Sequence, residues 1–164
     1  MNTTLLYRIA AVLLILFAAA HTFGFLSFTP PTPEGVAVRD AMNNVHFLVR
    51  NHSYSYGNFY RGFGLFATAY LLFAAFLAWH LGTMAAKHPL AIGPLAWVFF
   101  GLQLVSMALS WIYFAPPPAI SSGLVAACVG WAALRLNKKK AGGLTSSSEK
   151  TSPVTSASLS RQQL

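Results

Sequence analysis

The chain predicts an all-α, polytopic membrane protein: four transmembrane helices in an antiparallel bundle, with a short amphipathic helix in the first external loop. Three observations lead there. Of 164 residues, 55% are hydrophobic and only 9% charged, whereas a soluble domain carries about 25% charged residues. Four apolar runs reach or approach the length that crosses a hydrocarbon core of about 30 Å. The Lys and Arg residues punctuate the ends of those runs. Because an unpaired backbone polar group in lipid costs several kcal/mol, each run must close its hydrogen bonds internally, as a helix.

The first span runs from Leu5 to Phe28, the second from about Phe59 to Leu81, the third from Leu90 to Ala115 and the fourth from Ala119 to Leu136. The fourth, "AISSGLVAACVGWAALRL", is the shortest and richest in small residues, so a re-entrant or interfacial path competes there with a full crossing. These limits give a transmembrane domain over 1–137, an external loop over 29–58 and a tail over 138–164. With a cytoplasmic amino terminus, Arg8, Lys87, Arg135, Lys138, Lys139, Lys140, Lys150 and Arg161 lie inside, and Arg39, Arg50 and Arg61 outside. That bias follows the positive-inside rule and puts both termini in the cytoplasm of an inner or plasma membrane protein. The alternative, a signal peptide cut after Ala20, conflicts with the apolar run that continues through Thr22-Phe23-Gly24-Phe25-Leu26-Ser27-Phe28.

The external loop opens "TPPTPEG", where prolines end the first helix. Val38, Met42, Val45 and Val49 then recur at four, three and four residues, which predicts a helix over roughly Val36 to Val49 lying on the membrane or over the bundle mouth. The connection "GTMAAKHP" is short, and Pro116-Pro117-Pro118 predicts a stiff corner with little room for a site. Short corners favour antiparallel neighbours. Past Asn137 the Ser, Thr, Gly and Lys composition predicts a disordered tail with a basic, lipid-anchoring start. Lys138, Lys139, Lys140 and Arg50 are the expected lipid-headgroup contacts. The net charge of +8 is accounted for by this placement, and no nucleic-acid partner is expected.

His21, in "AAAHTFGF", lies about 10 Å inside the outer end of the first helix by helical rise. The same count back from Ala115 puts Gln103 about 18 Å and Ser106 about 14 Å in, grouped with His21 in the outer half, and both share a face with Ser110. Intramembrane ionisable residues face a bundle interior by default. The candidate ligand-binding lining is therefore His21, Gln103, Ser106 and Arg61, with Glu34, Asp40 and His46 from the loop above. In the competing reading His21 only crosslinks two helices, with small residues such as Gly24, Gly64 and Gly101 allowing close packing.

Imidazole is suited to moving protons near neutral pH, but no nucleophile motif, phosphate loop, HExxH motif or thiolate pair accompanies it. No catalytic residue can be assigned. No metal or cofactor is expected: His21 and His80 belong to opposite ends of an upright bundle and cannot share one haem iron, and the six-residue spacing of His46 and His52 is not a ligand pattern. The aromatics around Tyr54 to Tyr60 and Trp111 to Phe114 fit interfacial belts.

Two function classes remain. One is a structural or assembly component that partners another membrane protein or a second copy of itself. The other is a binder of a small apolar or lipid-like ligand in an outward-opening cavity around His21, with acid–base chemistry as its enzymatic extension.

Overall fold

The computed structural model describes residues 2–89, 91–114 and 116–149, with side chains only up to 138. Five helices and one hairpin follow in order: α1 (Thr3–Ser27), α2 (Pro33–Asn44), β1 (His46–Val49), β2 (His52–Ser55), α3 (Tyr56–Lys87), α4 (Gly93–Tyr113) and α5 (Pro116–Glu149). Four of these helices, α1, α3, α4 and the Pro116–Lys138 part of α5, are long and apolar enough to cross a membrane. Their ends follow local chemistry. Asn2 and Ser55 cap α1 and α3 by accepting from Thr4 N and Asn58 N, and prolines sit in the opening turns of α4 and α5.

α1 packs against α3 on one side and α5 on the other, and α4 packs against α5. The pairs are antiparallel: near Tyr7 of α1 lies Gly82 of α3, whereas Phe25 of α1 lies on Gly64; likewise Gly130 of α5 lies on Phe100 of α4, and Gly123 on Met107. Between α3 and α4 the described hydrogen bonds give one link, from Tyr70 Oη to Ser106 Oγ at 3.5 Å.

Burial is uneven along this assembly. The apolar core comes from Leu6 to Ala18 of α1, Leu71 to Ala85 of α3, Ile92, Ala96 and Phe99 near the start of α4, and Val125 to Leu136 of α5. All of these lie toward the end that holds the chain's start and the α3–α4 link. Toward the other end, where α2 and the hairpin sit, large side chains such as Phe23, Phe63, Phe66, Trp111 and Tyr113 are exposed. The buried apolar core is thus concentrated at one end of the assembly. Within this core, the Tyr7 hydroxyl is fully buried without a hydrogen-bond partner among the described residues. Removing an unsatisfied buried hydroxyl relieves its desolvation cost, so Tyr7→Phe is expected to raise stability by about 1–2 kcal/mol, read as a higher midpoint in thermal unfolding of the detergent-extracted protein.

The first loop differs from its prediction. The helix ends at Asn44, and His46–Val49 pairs with His52–Ser55 in antiparallel register, His46 opposite Ser55 and Val49 opposite His52. Val45, Phe47 and Val49 are β-branched or aromatic at alternate positions, which suits a strand. Arg50 and Asn51 both have positive φ, 47° and 68°, the backbone that a two-residue hairpin turn with native twist requires. The apolar stripe is not packed as a unit: Val38 is 61% exposed, and α2 has no buried residue. α2 and the hairpin rest on the start of α3, where Gly57 meets Asn43.

α5 continues as helix past Asn137 to Glu149, since Lys138 to Ala141 are good helix formers and no proline intervenes. The expected disorder of 150–164 concerns residues outside those described.

Candidate functional site

A cavity of about 930 Å³ lies between α1, α3 and the start of α5. α1 supplies Leu13, Leu16, Phe17, Ala20, His21, Gly24, Phe25 and Phe28, positions three and four apart that form one helical stripe. Tyr60, Phe63, Gly64 and Ala67 form the matching stripe on α3. The remaining wall is Phe114 with Pro117, Pro118, Ser121 and Leu124 of α5. The proline corner, expected to leave little room for a site, is therefore part of its rim. Three prolines in the first turn are tolerated because those N–H groups have no helical partner, and they bring α5 in at the cavity mouth.

His21 is tied to the wall rather than free within it. Its Nε2 lies 3.1 Å from the Gly64 carbonyl oxygen, which can only accept, so Nε2 carries the proton. The ring also stacks on Phe25, 5.8 Å between centroids and 12° between planes. Gly64 permits this close approach: a Cβ there would fall 2.5 Å from the edge of the Phe25 ring, which would have to move aside. Below it, Thr22 Oγ1 bonds Ala18 O at 2.7 Å and meets Thr68 Oγ1 at 2.8 Å, and Thr68 Oγ1 also lies 3.2 Å from Gly64 O. One self-consistent arrangement has Thr22 donating to Ala18, Thr68 to Thr22 and His21 to Gly64. Every proton in this α1–α3 seam is then used, and His21 Nδ1 remains an acceptor without a partner among the described residues.

The other sequence candidates lie elsewhere. Gln103 is 2% exposed on the packed face of α4 beside Ala96 and Phe99, and its Nε2 has no partner among the described residues. Ser106 meets Tyr70 from α3. Neither lines the cavity, and neither does Arg61, which is exposed on the first turns of α3. Glu34 and Asp40 are exposed on α2, Asp40 facing Arg39 at 3.5 Å, and His46 Nδ1 lies 2.8 Å from Asn44 O. No loop residue from 29 to 58 lines the cavity, so α2 and the hairpin do not cover it. Arg50 is exposed in the hairpin turn and Lys138 on α5, while the side chains of Lys139 and Lys140 fall outside those described.

Depth along a helix located His21 but not its surroundings. The wall could have been found from the three-and-four spacing that links His21 to Phe17, Gly24, Phe25 and Phe28. Chemically the site offers a long apolar surface with one fixed imidazole, and no carboxylate or ammonium lines it. Among the described residues no cluster of three or more His, Cys, Asp or Glu side chains is placed to hold a metal. The chain matches no family model, no curated protein and no solved structure.

Proposed function

We propose that the protein is an antiparallel four-helix bundle of the inner or plasma membrane, both termini cytoplasmic, that holds a small apolar or lipid-like molecule in the cavity around His21. The observation carrying this reading is the cavity of about 930 Å³, within the range of pockets that enclose small ligands, roughly 300–1,000 Å³. It has an apolar wall and one polar group fixed in orientation, the pattern by which such pockets combine affinity with selectivity. In this orientation the end that holds the buried core is cytoplasmic. There Arg8 lies 4.7 Å above the Trp79 ring and Arg135 lies 6.0 Å from that of Trp131, suiting cation–aromatic anchoring at a headgroup layer. The cavity then opens in the outer leaflet, where membrane lipids are its nearest source of ligand.

Two measurements test the proposal. Reporter fusions after Pro33 and after Leu144 are expected on opposite sides of the membrane; the same side for both refutes the topology. Native mass spectrometry of gently extracted protein is expected to show a retained apolar adduct, and its absence refutes the binding reading.

The assembly reading draws on a different surface. Met107, Trp111 and Ile112 of α4 with Ile120 and Gly123 of α5 border an apolar groove of about 480 Å³. A dimer or a co-purifying membrane protein in the same spectra favours that role.

A further inference from the structure

Resting on the binding reading above, we propose that the ligand is an uncharged long-chain molecule whose polar group is a hydroxyl, and that this hydroxyl donates to Nδ1 of His21. The cavity wall contains no Lys, Arg, Asp or Glu. A carboxylate, phosphate or ammonium drawn into it loses hydration without gaining a counter-charge, which strongly disfavours charged headgroups. The amino terminus of α5 does not rescue an anion. Helix starts attract anions through free N–H groups, but α5 begins with Pro116, Pro117 and Pro118, none of which has one.

Donor and acceptor counting then selects among neutral ligands. His21 Nε2–H is engaged by Gly64 O at 3.1 Å, so in the neutral ring Nδ1 can only accept. Ser121 Oγ donates to Pro117 O at 3.0 Å, so its hydroxyl also has only acceptor capacity left. Tyr60, the third polar side chain of the wall, is 59% exposed, so its hydroxyl belongs to the open rim rather than the interior. The interior therefore presents acceptors and no free donor. An ester, ether or ketone, which can only accept, finds no partner there, whereas a hydroxyl finds Nδ1. From His21 down to Leu13 the α1 stripe rises roughly 12 Å, an apolar wall along which the first part of a hydrocarbon chain attached to that hydroxyl can lie.

The test uses the full chain in nanodiscs at mildly alkaline pH and four probes of matched chain length: 1-hexadecanol, methyl palmitate, palmitate anion and hexadecane. Hexadecanol is expected to bind about tenfold more tightly than methyl palmitate, the worth of one good hydrogen bond, and palmitate most weakly. In His21→Phe, the preference for hexadecanol over methyl palmitate is expected to disappear, the two probes binding alike. Equal binding of alcohol, ester and anion overturns the hydroxyl assignment and leaves the apolar-binding reading standing, as does an alcohol preference that survives His21→Phe. Absence of binding by all four probes overturns both. Because the alcohol-to-ester ratio is measured on the unmodified chain, a misfolded variant does not remove the test.

Discussion

Gly24→Leu is expected to abolish ligand retention, lowering affinity more than tenfold, without lowering the thermal midpoint of the ligand-free protein. Gly24 lines the cavity, and a Cβ built on it meets no atom within 4 Å. The added side chain therefore enters space that the ligand is proposed to occupy. Replacing a helical glycine by leucine also does not weaken the helix, so stability has no reason to fall. Gly62 supplies the control. It too is helical, and its Cβ too would meet nothing within 4 Å, but it does not line the cavity. Gly62→Leu should leave retention intact, and equal retention by the two variants refutes the cavity as the binding site. Binding and folding are separated by this pair, which truncating His21 alone cannot do, because His21 also ties α1 to α3 through Gly64.

The four long helices were legible in the sequence because crossing length is a property of composition, to which the later packing adds nothing. Their ends were less so. The second span was read from Phe59 to Leu81, whereas α3 runs from Tyr56 to Lys87: hydropathy detects the apolar stretch, and the helix persists through Thr83 and Lys87 until His88-Pro89 stops it. The hairpin was hidden because Val45 and Val49 fit a helical stripe with Val38 and Met42 as well as they fit a strand alternating with Phe47, an ambiguity that short apolar segments do not resolve. For the site, helical rise gives depth and groups His21, Gln103 and Ser106 in the outer half of the bundle. Which helix neighbours which is decided by contacts between helices that no single span encodes. With α1 between α3 and α5 and α4 beyond α5, His21 faces Gly64, and Gln103 is buried on another face of the assembly. Glu34, Asp40 and His46 are expected above the site because the loop's apolar stripe predicts a helix on the membrane or over the bundle mouth, yet periodicity does not fix where a loop lies down, and it rests on α3.

Gly82→Leu should give the largest loss of folded protein. Gly82 is buried where α3 passes α1, and a Cβ on it would lie 3.1 Å from Tyr7 Cβ and 3.3 Å from the Thr4 carbonyl oxygen. Neither neighbour is the far end of a flexible side chain, so the helices themselves must separate. Overpacking of this kind costs about 1–3 kcal/mol in a well-packed core. In lipid the loss is not recovered elsewhere, because tails solvate an apolar helix as well as another helix does, and close packing at small residues is what holds spans together. Opening the α1–α3 seam at this point also disturbs Tyr7, Ala10 and Ala78, which are fully buried. The expected result is a lower thermal midpoint and a smaller folded fraction on extraction, while Gly93→Leu, at a position where a Cβ meets nothing within 4 Å, changes the midpoint little. The α1–α3 contact also holds two walls of the cavity together, since His21 and Thr22 of α1 meet Gly64 and Thr68 of α3. Gly82→Leu should therefore lower ligand retention together with stability, in contrast to Gly24→Leu, which lowers retention alone. If Gly82→Leu unfolds with the midpoint of the unmodified chain, the close α1–α3 approach is not what holds the helices together.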